Sequence, residues 1–186
     1  QTRIGTVDSH LVLFILSSYY FMYRYLELRK KDLLSSKLHF LLLSGITIGC
    51  AIAVKWTGLF AGLGLAILFF GHLYLTYFKT KKITKKEQKE IVTILFSCIL
   101  YFVMIPILIY VGSYFLFPRV SAYIVTDFKE LFSITESMYE YHSTLNATHP
   151  FSSNWYTWPF VTTPVWFYNM PLSDGYRATI SSVGNI

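Results

Sequence analysis

Four long apolar runs alternate with short polar stretches along the chain, and the alternation predicts four membrane-crossing helices. The first run, 10–26, has about 17 residues, the lower limit for a ~30 Å hydrocarbon core. Tyr19, Tyr20, Tyr23 and Tyr25 gather toward its end, as an interfacial belt does. The second run, 38–54, carries Gly45 and Gly49 four residues apart, a spacing that lets another helix approach closely. Lys55-Trp56-Thr57-Gly58 interrupts the hydrophobicity before a third run, 58–78, whose Gly58, Gly62 and Gly64 predict thin, closely packed first turns. The fourth run, 91–117, contains Pro106. Neighbouring helices can satisfy the carbonyl it frees, so a kinked helix is expected rather than a broken one.

Beyond Pro118 the period persists but the composition changes. Phe128, Leu131, Phe132, Thr135, Met138, Tyr139 and His142 fall on one helical face, while Asp127, Glu130, Glu136 and Glu140 lie mainly elsewhere. This predicts an amphipathic interfacial helix over about 127–142, capped by Thr126 or Asp127. A polar, aromatic stretch follows, His149 to Pro159. Its two prolines restrain their predecessors, so it reads as a shaped loop. The expected fold class is all-α: a polytopic transmembrane protein with an interfacial helix and an outer-face loop, residues 1–117 membranous and 118–186 outside.

Charge sets the direction. The net charge is +6, which by itself would suit nucleic acid. Eleven of the sixteen Lys and Arg residues, however, lie in Arg24–Lys37 and Lys79–Lys89, wedged between apolar runs. That is the positive-inside pattern, which makes 27–37 and 79–90 cytoplasmic loops and argues against nucleic acid as a partner. Alternation then puts Arg3, Asp8, Lys55 and everything after Pro118 on the outer face. Cys50 and Cys98 both sit in apolar runs without metal-ligand spacing and read as core residues. No secretory signal opens the chain, and both ends read as cuts within a longer membrane protein.

The polar groups of that outer face each admit two readings. Arg3 and Asp8 form either a surface ion pair or an anion site with a carboxylate beside it, since guanidinium matches phosphate. Lys55 either snorkels or holds a phosphate shared with Arg3; it directly follows the second apolar run. His149, Asn154, Trp155 and Trp158 belong either to an interfacial aromatic belt or to a sugar or peptide site, where indoles stack on sugar C–H faces. The sequence contains no P-loop, dinucleotide fingerprint, zinc spacing or hydrolase elbow, so no metal site is predicted.

Three blocks carry a family resemblance: Arg3-Ile4-Gly5-Thr6-Val7-Asp8-Ser9, Ala53-Val54-Lys55-Trp56-Thr57-Gly58-Leu59-Phe60, and His149-Pro150-Phe151-Ser152-Ser153-Asn154-Trp155-Tyr156-Thr157-Trp158-Pro159. Together with Val165-Trp166-Phe167-Tyr168 and Ser182-Val183-Gly184-Asn185 they resemble the protein O-mannosyltransferases, in that family's order. The resemblance implies a GT-C glycosyltransferase. Such enzymes move mannose from a polyprenyl-phosphate carrier to Ser or Thr hydroxyls of secreted or membrane proteins, with inversion. It implies lipid-phosphate binding by Arg3 and Lys55, an accessory role for Asp8, and sugar or acceptor contacts from His149, Asn154, Trp155 and Trp158. The family's large soluble insert has no room here, which matches the bacterial, plasma-membrane form. The family's acidic pair, with its catalytic aspartate, has no counterpart in these residues and is expected upstream of Gln1. A divalent metal is neither implied nor excluded. The alternatives are a GT-C transferase for another sugar or a lipid acceptor, and a non-enzymatic transporter or structural subunit.

Overall fold

The computed structural model describes residues 7–79, 83–116, 119–120, 123–146, 153–160, 162, 165–173 and 175–182. Residues 1–134 and 135–186 form two compact units.

The first unit is a helical bundle built around α2 (Leu34–Val54). Helix α1 (Asp8–Leu26) runs antiparallel to it, since Asp8 meets Lys55 at one end and Ser18 meets Ser44 midway. The Ser18 and Ser44 hydroxyls lie 3.1 Å apart, and each donates to the other residue's carbonyl, so both buried polar groups are satisfied inside the apolar core. Helix α3 (Gly58–Leu73) runs on into a π turn, Tyr74–Phe78. Helix α4 (Lys85–Ile99) begins with a capping box. Thr84 accepts from the Glu87 N–H and Glu87 accepts from the Thr84 N–H, so two orphan donors are paired. A second π turn, Leu100–Met104, joins α4 to α5 (Ile105–Leu116) without a break. Pro106 is the second residue after that turn. Its ring would clash with the carbonyl four residues back in an α-helix, and the wider turn gives it room.

Among the described residues, three helical stretches are long and apolar enough to cross a membrane: Leu34–Val54, Gly58–Phe78 and Lys85–Leu116. Helix α1, at 19 residues with Asp8 in its first turn and Arg24 in its last, is not among them. The core holds Met22, Tyr25, Leu41, Ile48, Ala51, Leu65, Phe69 and Ile94, all buried. Leu63, Ile67, Phe96, Ile99 and Leu108 instead point outward from the same helices. So much exposed apolar surface suits hydrocarbon as the surrounding solvent, and the chain is a helical membrane protein.

The glycines sort by what faces them. Gly45 lies against the Tyr101 backbone, and Gly49 against Pro106 and Ile109, so the four-residue spacing marks where α2 meets the α4–α5 helix. Gly62 differs from the expectation of close packing: nothing lies within 4 Å of where its Cβ would be. It borders a crevice of about 360 Å³ between α3 and α4, lined by Leu65, Phe69, Cys98, Phe102 and other apolar groups. Gly45→Val should therefore cost about 1–3 kcal/mol or more, because the carbonyl it strikes belongs to backbone. Gly62→Ala should be neutral or slightly stabilising. Thermal unfolding of both variants in detergent checks the contrast; equal effects would contradict it.

Short strands β1 (Arg119–Val120) and β2 (Tyr123–Ile124) pair antiparallel ahead of α6 (Phe128–Thr144). Asp127 Oδ1 accepts from the Glu130 N–H, while Glu130 accepts from the Thr126 N–H and hydroxyl. Those donations hold the Glu130 carboxyl below its usual range. Of the two expected caps, Asp127 is the one that accepts a helix N–H, while Thr126 donates to Glu130. On α6, Leu131 is buried while Phe128, Phe132 and Tyr139 are exposed.

The second unit departs from the sequence expectation in two places. A 3₁₀ turn, Trp155–Phe160, occupies part of the stretch expected to be an irregular loop. The Asn154 carbonyl accepts both the Thr157 N–H and its hydroxyl, which starts the turn, and the φ that Pro159 imposes is compatible with it. An antiparallel hairpin, β3 (Val165–Pro171) and β4 (Arg177–Ser182), follows inside a chain read as all-helical. Its connection closes through Gly175 at φ 83°, where a side chain would be strained.

Candidate functional site

At one end of the first unit, α2 stops and α3 starts within three residues. Lys55 is extended (φ −160°, ψ 134°), which ends the helix. The Gly58 N–H then donates to the Lys55 carbonyl at 2.9 Å, closing the turn. Gly58 is required there, because a Cβ would lie 2.8 Å from the Ala51 carbonyl carbon.

This turn aims two side chains in different directions. The Lys55 ammonium donates to Asp8 Oδ1 at 3.1 Å, joining the turn to the start of α1. Both side chains remain open, 49% and 42% exposed, so an anionic group can reach the ammonium. The Trp56 indole N–H donates to the Tyr110 hydroxyl of α5 at 3.1 Å, and that hydroxyl lies 3.2 Å from the Tyr114 hydroxyl. The two phenol rings meet edge to face. Helices α1 and α5 thus both meet the short turn between α2 and α3, with a cation held at its surface by Asp8.

Of the residues singled out from sequence, Asp8 and Lys55 are brought together. Asp8 was read beside Arg3; among the described residues Asp8 meets Lys55. Arg3 and His149 lie outside the described residues. Asn154 belongs to the second unit, where its side-chain amide donates to the Tyr156 hydroxyl at 2.8 Å. The backbones of Trp155 and Trp158 lie in the 3₁₀ turn, and their side chains are outside the described set. Among the described residues no three His, Cys, Asp or Glu side chains group as metal ligands. Cys50 and Cys98 are free thiols.

Sequence reasoning missed the opposite end. Lys37, Tyr77 and Glu90, taken there for parts of solvated loops or spans, form a buried cluster. Lys37 Nζ donates to Glu90 Oε1 at 2.6 Å and to the Lys30 carbonyl at 3.2 Å. The Tyr77 hydroxyl donates to the same Glu90 oxygen at 2.6 Å. Lys30 pairs with Glu87 at 2.8 Å beside it. A usable signal existed: Lys37, Leu41, Ser44 and Ile48 recur at helical spacing, so Lys37 shares the buried face of α2.

A bundle of membrane-length helices, apolar outside and carrying an accessible ammonium–carboxylate pair at one end, defines a helical membrane protein. The family model described as Dolichyl-phosphate-mannose-protein mannosyltransferase matches residues 1–117, and the chain belongs to that family. It is therefore a glycosyltransferase of protein O-mannosylation, a reaction with a lipid-linked sugar donor and a protein acceptor. No curated protein and no solved structure matches the chain significantly. The matched span contains Asp8, Lys55, Trp56 and Tyr110 and ends before the His149–Pro159 stretch.

Proposed function

We propose that the chain transfers mannose from a polyprenyl-phosphate carrier to Ser or Thr hydroxyls of proteins, at the extracytoplasmic face of the membrane and with inversion. The observation that carries this reading is the Lys55 ammonium. It stands at the end of an apolar helix, is half exposed, and is steadied by Asp8. In the reaction the acceptor oxygen attacks the anomeric carbon as the carbon–phosphate-oxygen bond breaks. The carrier phosphate leaves with an added negative charge, and the hydroxyl proton passes to a carboxylate base. Lys55, together with Arg3, holds the phosphate and stabilises the charge that grows on it. Asp8 is accessory: it orients the ammonium. His149, Asn154, Trp155 and Trp158 shape the sugar or acceptor side. The apolar crevice between α3 and α4 begins one turn beyond Gly58 and offers a bed for an isoprenoid tail.

The test is a transfer assay with the full-length protein in membranes. Polyprenyl-phosphate-mannose should support mannosylation of a Ser/Thr peptide, whereas a nucleotide-linked mannose should not. Transfer to lipid in place of peptide, or preference for another carrier-linked sugar, would overturn the assignment.

A further inference from the structure

The Lys55 site poses a positioning problem. A lysine side chain is a flexible stem, and an ion pair as exposed as Lys55–Asp8 holds it only weakly. Donor phosphate and ammonium nevertheless have to meet in one geometry. The structure supplies a second anchor on the other side of the same turn. Because Lys55 is extended, consecutive side chains point to opposite sides. Lys55 turns to α1, and Trp56 turns to α5.

We propose that Tyr110 is a positioning residue for the donor phosphate, acting through Trp56 on Lys55; this rests on the reading of Lys55 as a phosphate ligand. The Tyr110 hydroxyl accepts the indole N–H and shares a hydrogen bond with Tyr114. Tyr110 and Trp56 are both half-buried, so the bond between them is less exposed to competing water than the ion pair is. The α5 end of this bond is itself seated firmly, because α5 packs through Pro106 on Gly49, less than two turns from Lys55. Neither Tyr110 nor Tyr114 carries a charge or lies in the blocks read from sequence. Their contribution is direction: they fix the indole, and with it the backbone that carries the ammonium.

The test uses the full-length enzyme with polyprenyl-phosphate-mannose and a Ser/Thr peptide. Tyr110→Phe keeps the ring and removes the acceptor oxygen. It should raise KM for the lipid donor by about three- to tenfold, the factor expected for one lost hydrogen bond. KM for the peptide should not move, and kcat should fall less than donor KM rises. Trp56→Phe, which removes the donor half of the bond, should give the same change, and the double variant should match either single one. In a Lys55→Ala background Tyr110→Phe should add nothing. A misfolding variant would instead lower the active fraction and kcat, with both KM values intact. An unchanged donor KM, or an undiminished effect without Lys55, would overturn the proposal. If Lys55→Ala itself transfers at the wild-type rate, the phosphate reading fails. If Lys55→Ala is impaired and Tyr110→Phe is silent, only the role of Tyr110 fails.

Discussion

Lys37→Ala should destabilise the protein by about 3–5 kcal/mol, the range for breaking a buried ion pair from one side. Lys37 is 3% exposed, and its ammonium is the cation that meets the Glu90 carboxylate. Removing it leaves Glu90 largely buried, with the Tyr77 hydroxyl still donating to it but without the ammonium that met it at 2.6 Å. The same deletion frees the Lys30 carbonyl from its bond to the ammonium and cuts the ties of α2 to the π turn after α3 and to α4. The pair's own worth is a different quantity. Lys37→Met with Glu90→Gln removes both charges and keeps an acceptor for Tyr77, so most of the loss should be recovered. Thermal or denaturant unfolding of the solubilised protein measures both. A cost below about 1 kcal/mol for Lys37→Ala would show that water reaches Glu90 and that the cluster is a surface feature.

Lys55→Ala should lower transfer more than tenfold, at least about 1.4 kcal/mol of transition-state stabilisation, and leave the melting temperature nearly unchanged. The two halves of that expectation have one cause. The Lys55–Asp8 pair is half open to solvent, which makes it a weak contributor to folding and an available ligand for an anion. As the carrier phosphate leaves, it gains charge, and an ammonium already in place gains more interaction energy with it than with the bound donor. Arg3→Ala should behave alike, and Lys55→Arg should keep part of the activity because it keeps the charge. The readout is kcat/KM for the lipid donor. Wild-type rates in both alanine variants would remove the phosphate clamp.

The two ends of the bundle show how far a linear pattern reaches. At the Lys55 end, a charge directly after a long apolar run was conspicuous in sequence, and the Lys-Trp block carried the family with it. Its partner was not legible. Asp8 lies 47 residues away, and nothing in either local pattern says which cation a carboxylate will meet. The Trp56–Tyr110 bond, 54 residues apart, was invisible for the same reason. At the other end the pattern misled. Basic residues between apolar runs looked like solvated loops, yet α2 begins at Leu34 and α4 at Lys85, so Lys37 and Glu90 are helical and face inward. The hairpin Val165–Ser182 was not legible in the helical period of the preceding chain; its sequence signals were the β-rich run Val165-Trp166-Phe167-Tyr168 and the Asp-Gly pair at 174–175.

The sequence by itself determined the class: long apolar runs compel helices wherever the surroundings cannot hydrogen-bond the backbone. It also determined the family, the close approach at Gly45 and Gly49, and Lys55 as a residue of interest. The tertiary structure alone decided which polar groups meet. Hydrophobic burial is set by local period, whereas an ion pair is set by the packing register of helices distant in the chain. α1 runs antiparallel to α2, which brings residue 8 to residue 55. α4 and α5 run parallel to it, which brings 90 to 37 and 110 to 56.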